Sequence, residues 1–347
     1  MAKREGSADS FDVIHAHLLD GFAATVTELG GDPADVLRAA ALAPEPFLSG
    51  HVPVTYRQTV ILLETAAARL ACPDFGMRLA RLNGGIAVFG PLGVAMRNCR
   101  SFGEALAYVH NHNYAHSLAA QVSVRPTPDK GGAFVGHDIL LEGVPHRAQA
   151  LERILLAGHL GALELTGGHA RARAVHFRHQ PVSAPRIYRD YFGCSVRFGQ
   201  PEDGVFYSAA DLACPIAAPD PGELAAITDF IDRTFTRHRP PLHAEVRGIV
   251  MRLLGHAVCT NTEIADRIGL HPRTLHRRLR TEGTSFQRIK DEIRRDILLY
   301  YLARTDIDFT RISEKLGFAE QSVMTRSCQR WFGTSPTGLR AQERSIA

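Results

Sequence analysis

One helical unit is written twice in the last hundred residues of this chain. Ile264, Ala265, Ile268, Gly269 and Leu270 recur 48 positions later as Ile312, Ser313, Leu316, Gly317 and Phe318. The offset grows to 49 across Leu275/Met324, Arg277/Arg326 and Leu279/Cys328, and to 50 at Gly283/Gly333. Each copy places apolar residues at helical spacing, then a Gly able to take positive φ, then a second helical stretch, 271–280 in the first copy and 319–332 in the second. That order predicts helix, tight turn, helix, twice over.

In the second helix of the first copy, Pro272 is a favoured first helical residue, and Leu275 and Leu279 stand four apart on the inward face. Arg273, Thr274, His276, Arg277 and Arg280 are left on the other sides. In the second copy Met324 and Cys328 take the inward places, and Gln321, Ser322, Thr325, Arg326 and Gln329 point outward. Arg forks onto guanine O6 and N7, Gln pairs with adenine, and Ser or Thr serves phosphate or base, which is the chemistry of major-groove reading. Between the copies, Thr284 with Gln287 reads as a capping box. It opens a connecting helix whose Phe286, Ile289, Ile293 and Ile297 step by three and four. A stiff connector would hold two reading helices about 34 Å apart, one duplex turn, so that both enter one face of the DNA.

Charge follows the same division. Residues 240–347 carry net +6 and residues 1–239 net −2. A basic segment beside a slightly acidic one suits a DNA-binding domain joined to a domain with another task.

Residues 243–344 resemble the paired helix-turn-helix domain of the AraC/XylS transcription regulators. The resemblance rests on ProArgThrLeuHisArgArgLeu (272–279), GluGlyThrSerPhe (282–286) and ArgTrpPheGlyThrSerPro (330–336), with Arg330, Gly333, Ser335, Pro336 and Arg340 in the closing run. The chain departs from the pattern at Met324 and Cys328, where the family usually has Phe, and at Leu339, where it has Tyr, which implies a looser second unit. The resemblance implies that Arg273, His276 and Arg277, and then Gln321, Ser322, Thr325 and Arg326, face the bases.

At 347 residues the chain is too long for one ordinary core. ThrArgHisArgProProLeuHis (236–243) breaks a helical run from Glu223, so the expected division is a disordered terminus at 1–11, a domain at 12–237, a linker at 238–243 and the double helix-turn-helix at 244–347. In the first domain, helices are expected over 13–29, 33–42, 55–70, 92–98, 102–113 and 147–166. Strands are expected over 119–125, 133–141, 172–178, 195–198 and 205–207, the first two joined by a polar turn at 126–132. Helices and strands come in blocks, so the fold class is α+β with a mostly antiparallel sheet, followed by an all-α C-terminal domain. This first domain resembles the N-terminal arabinose-binding-like sensor domain of a branch that includes ornithine-utilisation regulators. The matching segments are 90–106, 176–181 and TyrPheGlyCysSerValArgPheGly (191–199). The resemblance implies small-molecule sensing but names no ligand.

Catalysis finds no footing in the sequence. His110, His112 and His116 cluster without a Cys or acid to complete a metal set, His176 and His179 flank a strand end, and Cys194 lacks a basic neighbour in sequence. No phosphate loop, GxSxG or HExxH occurs, and the six Cys form no CxxC pair. No enzyme activity, cofactor or metal is therefore expected. The expected partners are double-stranded DNA, RNA polymerase, a small-molecule effector and a second copy of the chain, with no membrane. The polar first ten residues and the absence of any run of eighteen apolar residues give a cytoplasmic expectation.

Overall fold

The structure is a computed structural model that describes residues 11–14, 17–48, 54–127, 131–235, 239–257 and 259–346. The chain divides into two compact units, one formed by Met1–Ile139 with Arg147–Pro240, the other by Leu140–His146 with Pro241–Ala347.

The first unit opens with helices α1 (Phe22–Glu28), α2 (Pro33–Ala39), α3 (Pro44–Leu48), α4 (Tyr56–Arg69), α5 (Phe75–Asn83), α6 (Pro91–Arg97) and α7 (Phe102–His112). Strands β1 (Ala120–Thr127) and β2 (Gly132–Ile139) lead into the long helix α8 (Ala148–Leu165). After it come β3 (Ala174–His176), α9 (Pro185–Phe192), β4 (Ser195–Arg197), β5 (Gly204–Ser208), α10 (Ala209–Leu212) and α11 (Pro221–Thr234). The five strands lie in the order β1-β2-β5-β3-β4, antiparallel throughout except for the parallel pair β3 and β4. The α+β reading with a mostly antiparallel sheet therefore holds.

Helix α8 is the central element of this unit. Its apolar residues Leu151, Ile154, Leu155, Leu156, Ala157, Ala162 and Leu165 are buried, on more than one face. Helix α5 reaches its backbone because Gly76 has no side chain: a Cβ there would stand 2.2 Å from the Gln149 carbonyl oxygen. Gln149 closes the contact, accepting from Gly76 N–H at 2.8 Å and donating to the Pro73 carbonyl at 2.8 Å.

Several expectations need correction. The helix expected from residue 13 begins only at Phe22, because Val13 forms an antiparallel bridge to Thr55 and Gly21 breaks the run at φ 76°. Helices α3, α5, α9 and α10 were not expected. In α9 only Tyr188 and Phe192 are buried, too few anchors for a visible period, and α5 starts at Asp74 without a side-chain cap. Residues 1–10, 128–130 and 236–238, which carry the expected disordered terminus, the tip of the hairpin turn and the start of the linker stretch, lie outside the described residues.

The second unit is helical: α12 (Leu242–Leu253), α13 (Asn261–Ile268), α14 (Pro272–Thr281), α15 (Phe286–Arg304), α16 (Phe309–Lys315), α17 (Gln321–Phe332) and α18 (Pro336–Ile346). Gly269 and Gly317 take φ 71° and 62° at the two repeat turns, the left-handed conformation that only Gly adopts without strain. The connecting helix does not start on a Thr284 capping box. Ser285 is its cap, accepting from Arg288 N–H at 3.2 Å, one residue later than the sequence suggests.

Candidate nucleic-acid interface

The interface is built from two small cores that share one helix. Leu275 and Leu279 of α14 are fully buried with Ile264 and Ala265 of α13, Val246 and Val250 of α12, and Ile289 and Ile293 from the first half of α15. The second half of α15 supplies Leu298, Tyr301 and Leu302 to the other core, together with Ile312, Leu316, Met324, Cys328 and Leu339. Ile297 packs against both cores. One 19-residue helix, about 28 Å long at 1.5 Å per residue, thus belongs to both repeats. The three departures from the family pattern, Met324, Cys328 and Leu339, are all buried.

Polar contacts stiffen the join. Arg294 of α15 is buried and donates from Nε to the Leu316 carbonyl at 2.9 Å and from Nη2 to the Gly317 carbonyl at 2.7 Å, with its guanidinium 4.0 Å from the centre of the Phe318 ring. These are the free carbonyls at the end of α16, where a cation is also favoured by the helix dipole. Arg330 of α17 pairs with Asp291 of α15 at 3.1 Å. Gly255, just past α12, comes so close to the end of α16 that a Cβ would stand 2.3 Å from the Lys315 carbonyl oxygen. Arg247, almost fully buried, holds α12 to α15 through Glu292 at 2.5 Å and reaches Glu142 at 3.2 Å. Arg294 escaped the sequence reading because a charged residue beside Arg295 and Asp296 reads as part of a solvated face, and its burial comes from contacts with residues 22 and 23 positions away.

With Leu275 and Leu279 inward, α14 leaves Arg273, His276, Arg277 and Arg280 exposed and Thr274 half-buried. His271, Arg273, Thr274, His276, Arg277 and Arg280 together line one surface concavity. His271 caps the helix, its Nδ1 accepting from Arg273 N–H at 3.3 Å. It was absent from the expected set, although its place directly before Pro272 marks it as a cap. Among the described residues, the guanidinium groups of Arg273, Arg277 and Arg280 have no ion-pair or hydrogen-bond partner in the chain. Arg267, Arg288, Arg311 and Arg330 of the same unit each pair with a carboxylate.

On α17, Gln321, Ser322, Arg326 and Gln329 are exposed and Thr325 is half-buried. Four of these side chains already have local partners, Thr325 through its Oγ1, which donates to the Gln321 carbonyl at 3.1 Å. Thr310 Oγ1 donates to Gln321 Oε1 at 2.8 Å, Ser322 Oγ donates to Glu320 at 3.0 Å, and Gln329 Nε2 donates to the Gly333 carbonyl at 3.0 Å. Arg326 has none among the described residues. The first helix thus presents a cationic face and the second a mixed polar face, and all ten expected residues lie on one or the other.

The remaining sequence candidates go elsewhere. Helix α7 ends at His112, so His112 and His116 do not share a helical face. His110 Nδ1 meets the Val122 carbonyl at 2.9 Å, His112 stacks on Tyr108 at 4.0 Å, and His116 is buried edge-on to Tyr56. Among the described residues no group of three His, Cys, Asp or Glu side chains is placed to hold a metal ion. His176 lies 5.5 Å from the Phe134 ring, and His179 is buried against Phe177. Burial pushes the Cys194 thiol up to about 11, away from a reactive thiolate. No helix among the described residues is long and apolar enough to cross a membrane.

Comparison with known proteins agrees with this architecture. Residues 30–216 match the arabinose-binding domain of AraC transcription regulator, N-term, and residues 264–342 match a helix-turn-helix domain. The HTH-type transcriptional regulator VirS of Mycobacterium tuberculosis is 34% identical over 330 residues, covering 95% of this chain and 96% of that protein. The ornithine utilization regulator of Pseudomonas aeruginosa is 25% identical over 329 residues, covering 91% of this chain and 92% of its own length. The transcriptional activator NphR of a Rhodococcus species is 31% identical over 106 residues, 30% of this chain and 31% of that protein. The chain belongs to the AraC family of helix-turn-helix transcription regulators, in the branch with an arabinose-binding-like N-terminal domain. It is a DNA-binding transcription regulator.

Proposed function

We propose that the two helix-turn-helix units read successive major-groove turns of one promoter duplex, and that the N-terminal domain, residues 12–237, controls this by binding a small-molecule effector. Residues 244–347 carry the DNA contacts, with 238–243 as linker. In the first unit the contacts are Arg273, Thr274, His276, Arg277 and Arg280, with His271 beside them; in the second, Gln321, Ser322, Thr325, Arg326 and Gln329. The observation that carries the reading is the cluster of unpaired arginines on α14 and the exposed polar face of α17, both fixed to α15 by buried cores. An unpaired guanidinium on a rigid helix spends no internal ion pair when it meets phosphate or guanine.

The protein acts on transcription without chemistry of its own, as an activator in contact with RNA polymerase, in the cytoplasm and as a homodimer on repeated sites. The activator assignment is supported by the relative whose name carries that role. Effector and DNA then couple reciprocally, and the effector shifts promoter affinity only by its differential affinity for two arrangements of the protein.

Selection of bound duplexes from a random DNA pool tests the reading, followed by affinity measurements on the selected site while metabolites are titrated. A two-part consensus whose affinity changes with one metabolite is expected. A passive N-terminal domain would leave affinity unchanged across the metabolite panel, and a pool without consensus would overturn sequence reading altogether.

A further inference from the structure

Helix α8 carries a buried charge, Arg153, that no described residue hydrogen-bonds. Arg153 is 2% exposed, and its Nε, Nη1 and Nη2 are all buried without a hydrogen-bond partner. The ionisable groups that act on it are Tyr56, itself buried, and Asp20, an exposed side chain already near His17 at 3.6 Å. Burial lowers the Arg153 pKa, but only to about 10, so the group stays cationic at neutral pH. A buried cation without a hydrogen-bonded counter-ion among the described residues is costly, and strongly perturbed buried groups cluster at functional sites.

The same helix borders an apolar cavity of about 90 Å³. Phe89, Leu92, Met96, Phe102, Leu155 and Val205 are among the apolar residues around it, and His116 and His137 supply polar edges. Tyr56 joins this polar end to Arg153. Its hydroxyl lies 3.1 Å from His137 Nε2, its ring meets His116 edge-on at 6.1 Å, and the Arg153 charge opposes the rise that burial gives its pKa. Gly158 of α8 also lines the cavity, and a Cβ added there would meet nothing within 4 Å. Close packing therefore does not demand a glycine in the middle of this helix, where it costs about 1 kcal/mol relative to Ala; its effect is to leave the cavity open.

We propose that this is the effector site, and that it takes a small amphipathic carboxylate. The apolar body fills the cavity against Gly158, and the anionic head lies at the Tyr56–His137 end, toward Arg153, whose guanidinium has no hydrogen-bond partner among the described residues. The volume sets the size of the body. A cavity of roughly 150 Å³ admits benzene, so 90 Å³ admits a short or branched aliphatic chain. This inference deepens the sensing role proposed above and rests on it.

Thermal shift on the full-length protein tests it, with butyrate and isovalerate as probes and the matching primary amides as neutral controls. Both acids should raise the melting temperature and the amides should not. Arg153→Met should fold at least as stably as the wild type, since it removes an unpaired buried charge, yet weaken acid binding tenfold or more. Gly158→Leu should abolish binding by filling the cavity, with Arg153 intact. Equal shifts from acid and amide, no shift from either acid, or an undiminished response in Arg153→Met would each overturn the proposal. Promoter affinity measured in parallel separates the two readings. Acid binding without any change in DNA affinity upholds the site and removes the sensing role, whereas a response confined to uncharged metabolites removes the carboxylate site and leaves sensing in place.

Discussion

Arg294→Met separates the strut from the second reading unit while keeping an unbranched apolar side chain in the same space. The arginine gives two charge-assisted hydrogen bonds to the Leu316 and Gly317 carbonyls and a contact with the Phe318 ring. Each such bond contributes about 1.5–3 kcal/mol and the ring contact about 0.5–2 kcal/mol. Against this stands the desolvation of a buried guanidinium, several kcal/mol, which methionine relieves. Gly317 is exposed, so water can serve its carbonyl, whereas Leu316 is buried. The net expectation is a loss of about 2 kcal/mol, carried mostly by the orphaned Leu316 carbonyl. The chain supplies its own probe, because Trp331 is its one tryptophan and lies on α17 beside Phe318, 6.3 Å between ring centres. Urea unfolding followed by Trp331 emission should shift to lower denaturant in the variant, and the protected DNA segment belonging to the second unit should weaken first. An unmoved Trp331 transition, or equal weakening of both DNA segments, would refute the clamp.

Three further outcomes are expected. Arg277→Ala and Arg326→Ala should each cost roughly 1–3 kcal/mol of DNA binding and relax preference at one base position; a uniform loss across all sequences would mark them as phosphate contacts. Leu275→Ala removes a fully buried side chain from the first core and should lower stability by about 2–5 kcal/mol in urea titration; a change below 1 kcal/mol would mean that core is not close-packed. Burial depresses His137, His159 and His179 to about 4 from 6.5, so between those values the unfolded chain binds more protons than the folded one. Their contribution is complete above pH 6.5 and is lost as pH falls toward 4, which urea midpoints at pH 7.5 and pH 5 should show, less steeply in a His159→Gln variant.

The second unit was legible because its signals are local and repeated. A Gly after an apolar helix, a Pro opening the next, and Leu275 and Leu279 four apart each fix a turn or a face without reference to distant residues. The first hairpin was legible for the same reason, since the alternation along β1 and the polar turn that follows it are both local. What stayed hidden depends on contacts between segments far apart in sequence. The α5 helix needs Gly76 against Gln149, the α9 helix needs the Glu152 carboxylate that accepts from the Tyr188 hydroxyl at 2.6 Å, and Arg294 gains its meaning from carbonyls 22 and 23 residues away. The buried Arg153, without a hydrogen-bond partner among the described residues, was equally invisible. An arginine in a helical run reads as a solvated side chain until burial shows otherwise.

Footprinting of the purified protein on its selected duplex tests the central claim most directly, because the claim is mechanical: α15 holds two reading helices at one separation. Two protected blocks about 10 base pairs apart, both on one face of the duplex, are the predicted result. A single short block, or two blocks whose spacing varies from site to site, would contradict it.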